Sequence, residues 1–523
     1  MVSRKTIGKP IHLAMTLKSN KLLVLLGFLS LLLYGAMGEI SYHFNWGEGY
    51  SGRPILSYLA IYFSLFALYA AAGRVVFKQP QDRSSLWIIF IFGLLFRAIL
   101  LPANQIQEDD VYRYLWDGKV FGQGINPYEY APTEVQNYLE FKIQDPAGFD
   151  DAYSERNKTE LKALNDLKWE NRSALTTLER VNHPDVPTIY PPMAQVVFRI
   201  AHHIKADSIL TIRLGFFIFD LTAFGFIVLF LARLGKNPHL SLIYFWSPLV
   251  IKETFNSTHL DIIGIAFLCG SVYFLIADRR AWAILFLACS FLGKLYPIIL
   301  LPVYLKTMAS RDHATGKPFC GTLIGYGLLF FAMVILGYLP FLGEGAAIFE
   351  GLRAFSTHWQ SNDSIFALLV YFFSEALPSG IAGQTVLAQS TPTLADKASV
   401  VLILSLALLY LLVRPQPRQD NHENVVRDIF ILLALVFLLS PVQNPWYLSW
   451  VVPFLCVFPK KAWILLTGLM GFYYLDFYFD YQEIQQYSRW TPWLEYLPFY
   501  ALLAWGQYST LRNRRNPLVS PPA

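Results

Sequence analysis

A segment that crosses a bilayer as a helix must be apolar over about 20 consecutive residues, because a hydrocarbon core about 30 Å thick offers no water to polar groups. Such stretches recur along this chain, at residues 21–40, 55–77, 85–101, 208–233, 239–256, 260–277, 319–340, 396–413, 428–440, 446–458, 462–479 and 493–511. Another apolar stretch, 281–305, is broken by Gly293-Lys294 and Pro297. It reads as one kinked span or as two half-helices meeting at Lys294, and the pair makes the charge placement consistent. Strands of an outer-membrane barrel would alternate over about 10 residues, whereas Leu22 to Ile40 is apolar on nearly every face. Only 15% of the residues are charged, against about 25% in a soluble domain. The expected fold is an all-α polytopic membrane protein, one integral domain over residues 1–523, with about 12–14 transmembrane helices.

The net charge of +5 implies no nucleic-acid partner; its distribution says more. Arg74/Lys78/Arg83, Arg233/Lys236, Arg279/Arg280, Lys306/Arg311/Lys317, Arg414/Arg418/Arg427, Lys460/Lys461 and Arg512/Arg514/Arg515 fall on one side, with the N-terminal cluster that includes Arg4, Lys5 and Lys9. By the positive-inside rule that side is the cytoplasm, with both termini. The first span reads as an anchor, because Gly35-Ala36-Met37-Gly38 makes a poor signal-cleavage site. Two long loops then fall outside, 102–207 and 341–395. The first carries an amphipathic helix from Asp109 to about Gln123, suited to lie along the membrane surface, and a polar middle, 133–181, that is either a small helical cap or mobile. The second has apolar residues at helical spacing from Phe349 to Phe373, so the two together are expected to roof a cavity at the outer leaflet.

Chemistry is expected where acidic residues follow a span. Glu108-Asp109-Asp110 stand at such a boundary, and the plain alternative is a solvated helix N-terminus. The neighbourhood is a constrained loop: Asp109-Asp110-Val-Tyr-Arg113-Tyr-Leu-Trp-Asp117-Gly118 leads to Asn126-Pro127-Tyr128, and Asn182-His183-Pro184-Asp185 precedes Tyr190-Pro191-Pro192. Further along come Lys252-Glu253, His259-Leu-Asp261, Gly293-Lys294-Leu-Tyr296-Pro297 and Asn444-Pro445-Trp446-Tyr447. Lys294 lies in an apolar segment, where an ionisable group is costly and a functional role is the default; its alternative is a snorkelling lysine.

In these runs and their order, over roughly residues 85–460, the chain resembles bacterial members of the GT-C superfamily, polytopic glycosyltransferases that use polyprenyl-phosphate sugars. The resemblance implies a catalytic base in the external acidic motif, with Asp109 as the base and Asp110 orienting the acceptor or a metal ion. It implies a polyprenyl-phosphate sugar donor, a lipid or glycan acceptor, surrounding membrane lipids, and a hexose, with mannose the first candidate, transferred on the outer face of a bacterial plasma membrane. One base suffices, since a phosphate leaving group needs little protonation, and single displacement inverts the anomeric centre. Substrate-binding candidates are Arg113, Asn126, Tyr128, His183, Tyr190, Lys252, Glu253, His259, Asp261, Lys294, Tyr296 and Trp446, with Lys252, Lys294, Arg199, His202 and His203 as possible phosphate partners. No cofactor is required by these residues; Mg2+ or Mn2+, recruited by phosphate together with Asp109 and Asp110, stays open. The competing readings are a lipid-sugar flippase or transporter, which should show paired broken helices, and a polysaccharide ligase, which would rest on basic and histidine residues.

Overall fold

The computed structural model describes residues 8–78, 82–314, 318–376, 394–414 and 422–515. Residues 377–393 of the second long loop, and the basic residues Arg4, Lys5, Lys317 and Arg418, lie outside the described residues. Every regular element among the described residues is helical, apart from a single bridge between Ser361 and Val442. Among the described residues, seven helices are long and apolar enough to cross a membrane: Lys18–Ser41, Ile55–Lys78, Arg83–Leu100, Ile209–Arg233, Phe319–Gly343, Ala395–Val413 and Lys461–Tyr481. Shorter apolar helices, Asp261–Ile276 and Arg280–Gly293, complete the interior. The chain is an all-α polytopic membrane protein.

Small residues let the central helices close up. A Cβ on Gly293 would stand 3.1 Å from the backbone nitrogen of Gly264, and one on Gly264 would fall onto the Trp450 ring. Such close approach is how helices associate where no hydrophobic effect drives them together. Among the cysteines, Cys269 and Cys456 are buried in this interior, while Cys320 is exposed.

The stretch 281–305 is a pair of half-helices. Helix Arg280–Gly293 ends in extended backbone at Lys294, and the chain re-enters helix through Tyr296–Leu300 and Leu301–Ala314. The two far ends meet: Arg280 pairs with Asp312, and Arg311 Nη1 is 3.4 Å from Asp278 beside the start of the first half. Lys294 is therefore the apex of a turn-back. Two other expected spans are also interrupted. Residues 239–256 run as Pro238–Ser241, Leu242–Phe245, Pro248–Ile251 and a π-helical turn, Lys252–Asn256. Residues 446–458 contain only Pro445–Leu448 and Val452–Leu455. Proline at the first turns of these pieces explains the breaks, since it has no N–H to extend the preceding helix.

The loop 102–207 folds into a helical cap rather than a mobile segment. Helices Pro132–Gln136, Tyr138–Gln144, Pro146–Ala152, Glu155–Lys168 and Arg172–Glu179 share a small core around Phe149, Leu161, Leu164 and Leu178. Helix Val111–Gly122 does not lie along a membrane surface as its pattern led us to expect. It is enclosed on nearly every side, packed against helix Pro192–Ile204 and the cap. Its polar side chains are compensated inside: Asp117 accepts from Gln195 at 3.1 Å, and Lys119 pairs with Asp207 at 2.9 Å and Glu170 at 3.2 Å.

Candidate functional site

Two loops are clamped together where helix Arg83–Leu100 ends and the π-helical turn runs out. Arg213, on helix Ile209–Arg233 and 1% exposed, donates to the carbonyls of Leu101 (2.7 Å) and Ala103 (2.5 Å) on one loop. It also donates to the Asn256 carbonyl (2.6 Å) and the Thr258 hydroxyl (2.9 Å) on the other. The Asn256 side chain crosses the same gap, accepting from Ile106 N at 3.0 Å and donating to Asn104 O at 2.6 Å. Held this way, Thr258 adopts φ +65°, a left-handed conformation costly for a β-branched residue. The next residue, His259, is thereby aimed at the acidic motif.

Asp110 and Asp109 are joined by the Asn182 amide, which donates to Asp110 Oδ1 at 2.6 Å and to Asp109 Oδ1 at 3.2 Å. Arg113 fixes that segment from below, donating to the carbonyls of Asn182 (3.0 Å) and His183 (2.8 Å). On the far side of Asp110, Oδ2 lies 3.5 Å from His259 Nδ1, while His259 Nε2 lies 3.4 Å from Glu253 Oε2. The imidazole stacks on Trp446 at 3.7 Å and is 1% exposed. Deeper in, Glu253 Oε1 accepts from Tyr474 at 2.9 Å, and Lys252 contacts Tyr474 and bonds Ser257 at 2.7 Å.

Around Asp110 opens a cavity of about 360 Å³, lined among others by Glu108, Arg113, His183, Tyr190, Lys294, Tyr296 and Trp446. That volume suits a small-molecule ligand. Leu352 and Phe355 of helix Glu350–His358, with Trp359 just beyond it, cover one side, so the second loop does roof the site. Lys294 reaches the cavity from its apex, 3.2 Å from Asp261 and over the Tyr447 ring. Asp261 is fixed in turn by the Trp450 indole at 2.7 Å.

The three acidic neighbours are shifted in different directions by their surroundings. Burial pushes Asp109 up to about 6, Asp110's charge adds to this, and Arg180 and Asn182 oppose it. Burial would also raise Asp110, but the neighbouring His259 ring and its charge, then Asn182 and Lys294, hold it down at about 2. Glu108 stands well above the carboxylate range through burial, only partly opposed by Lys252, and its Oε1 has no hydrogen-bond partner among the described residues.

Of the residues expected from the sequence, Asp110, Arg113, His183, Tyr190, Lys294, Tyr296 and Trp446 line the cavity. Asp109 does not, so the carboxylate nearest the open space is the second of the pair, not the first. Lys252, Glu253, His259 and Asp261 lie behind the lining, each enclosed and turned toward a protein partner. Tyr128 and Asn126 are structural. The Tyr128 hydroxyl donates to Tyr190 O at 2.5 Å, and Asn126 donates to Phe341 O at 3.3 Å. Arg199 lies over Phe121, and His202 packs near Gly122, so neither is a phosphate partner in the cavity. Among the described residues no group of three or more His, Cys, Asp or Glu side chains is placed to hold a metal ion. Asp109 and Asp110, bound through one amide and with Asp110 facing His259, do not supply such a donor set. Glu108, Asn182 and Arg213 were not singled out from the sequence as site residues; the Asn182-His183 turn was the available signal.

The chain matches no protein-family model, no curated protein and no solved structure.

Proposed function

We propose that this protein is a membrane glycosyltransferase of the GT-C type. It moves a hexose, with mannose the first to test, from a polyprenyl-phosphate donor to a lipid or glycan acceptor on the non-cytoplasmic face of a bacterial plasma membrane. The observation that carries the reading is the cavity whose wall combines the Asp110 carboxyl with the Lys294 amine, at the end of the bundle remote from the paired arginines. In this reading Asp110, not Asp109, is the base. The acceptor hydroxyl gives its proton to Asp110 as its oxygen bonds to the anomeric carbon. The carbon–oxygen bond to phosphate breaks, its electron pair stays on the departing polyprenyl phosphate, and Lys294 offsets the charge that develops there. A donor held in one orientation yields the inverted anomer.

Membranes containing the protein, incubated with a panel of radiolabelled polyprenyl-phosphate hexoses, should move label from one donor into a new extractable product. No movement from any donor would end the reading. The face is tested separately: a cysteine at Gln136, in the cap, should react with an impermeant maleimide from outside and one at Lys460 should not. The reverse pattern would put the site on the cytoplasmic side.

A further inference from the structure

His259 is a buried side chain with one ring nitrogen against each of two carboxylates, Asp110 at 3.5 Å and Glu253 at 3.4 Å, and it does not line the cavity. Its placement is built. Arg213 donates to the hydroxyl of the strained Thr258, the backbone N–H of His259 donates to Glu253 O at 2.9 Å, and Trp446 covers the ring face at 3.7 Å. The remaining charged groups around the bridge have their own partners. Lys294 is taken by Asp261, Lys252 lies 3.5 Å from Glu253, and Tyr474 donates to the other Glu253 oxygen. Glu108, also in the cavity wall, has no hydrogen-bond partner at Oε1 among the described residues.

We propose that His259 is a positioning residue for Asp110: seated between Glu253 and Trp446, it presents a ring N–H to Asp110 and keeps that side chain a fixed, ionised carboxylate aimed at the cavity. Asp110's role as base rests on the function proposed above; the bridge itself does not.

The test is chemical modification of the full-length protein in detergent. Carbodiimide couples glycine methyl ester to carboxyl groups in their protonated form, and mass spectrometry of the peptides gives the extent at each position. At about pH 5 an ordinary Asp, pKa about 3.9, is protonated in a few per cent of molecules. Asp110 should resist coupling in the wild type, while Glu108 in the same cavity reacts and shows that the reagent enters. In His259→Gln, coupling at Asp110 should rise at least about 10-fold with Glu108 unchanged, and Glu253→Gln should give a smaller rise. Adding imidazole to His259→Ala should restore resistance, which a general loosening of the fold would not allow. Equal coupling of Asp110 in wild type and His259→Gln, or no rescue by imidazole, overturns the bridge. Transfer measured on the same proteins separates the two ideas. If coupling rises and Asp110→Asn, assayed beside these variants, transfers about 10²- to 10⁴-fold more slowly, both stand; if coupling rises and Asp110→Asn transfers at the wild-type rate, the bridge stands and Asp110 is not the base.

Discussion

Two buried ion clusters in this molecule have been put to opposite uses. Inside the bundle, Arg97 donates to Asp220 Oδ2 at 2.5 Å, to Phe245 O at 2.7 Å and to Gly93 O at 3.0 Å, while Tyr244 donates to Asp220 at 2.7 Å. Both charged side chains are fully enclosed. At the cavity, by contrast, Glu108 Oε1, Glu253 Oε2 and both nitrogens of His259 have no hydrogen bond among the described residues, and their charged neighbours stand slightly too far away. A buried polar group left short of partners costs stability. It persists where something other than stability is served. A charge inside the membrane is not by itself a mark of function; its unspent hydrogen-bonding capacity is.

The inner cluster depends most heavily on Arg97. Replacing Arg97 with Ala leaves Asp220 buried without its cation, and the fold should lose about 3–5 kcal/mol, read as a lower thermal-unfolding midpoint or loss of folded protein. An Arg97→Ala protein as stable as wild type would show the inner cluster to be no staple. Lys294→Ala should weaken donor binding about 10- to 100-fold, the scale of a charged hydrogen bond, and Lys294→Arg should recover part of it while changing the shape of the cation. Donor titrations that do not move would return Lys294 to a merely structural partner of Asp261. The smallest effect separates Asp109 from Asp110. Asp109, lifted to about 6, stabilises the fold below the ordinary Asp pKa of about 3.9 and loses that contribution as pH rises through its folded value. Asp110, held at about 2, contributes above about pH 3.9 and loses it only as pH falls through its own value. Asp109→Asn should therefore gain about a kcal/mol or two over wild type at neutral pH and flatten its decline between about pH 4 and 6. Unfolding curves that keep the wild-type slope would sink that assignment.

The architecture was legible because lipid imposes it: apolar length marks a crossing, and Gly293-Lys294 with Pro297 marked the turn-back that the Arg280 and Arg311 pairs close. The interruptions in 239–256 and 446–458 were signalled by Pro248, Pro445 and Pro453, but apolar composition outweighed them in the reading. The acidic motif could be found by its place after a span. Which of its two carboxylates meets the cavity could not, since that depends on backbone such as Gln107 at φ +73° and on Asn182, more than seventy residues away in the chain. Arg213 and Asn256, which bring the two loops together, act through carbonyls, and such contacts leave no periodic pattern in sequence. Helix Val111–Gly122 was misjudged for a related reason. Its polar face looked solvent- or lipid-headgroup-facing because its partners, Gln195, Asp207 and Glu170, come from later in the chain.

Whether the cavity-facing carboxylate takes the proton of the sugar acceptor is decided by single-turnover transfer with Asp110→Asn and Asp109→Asn at saturating donor. Asp110→Asn should stay folded, still bind the polyprenyl-phosphate sugar, and transfer it about 10²- to 10⁴-fold more slowly, with a smaller loss in Asp109→Asn. Transfer by Asp110→Asn at close to the wild-type rate, or a larger loss in Asp109→Asn, would contradict that role.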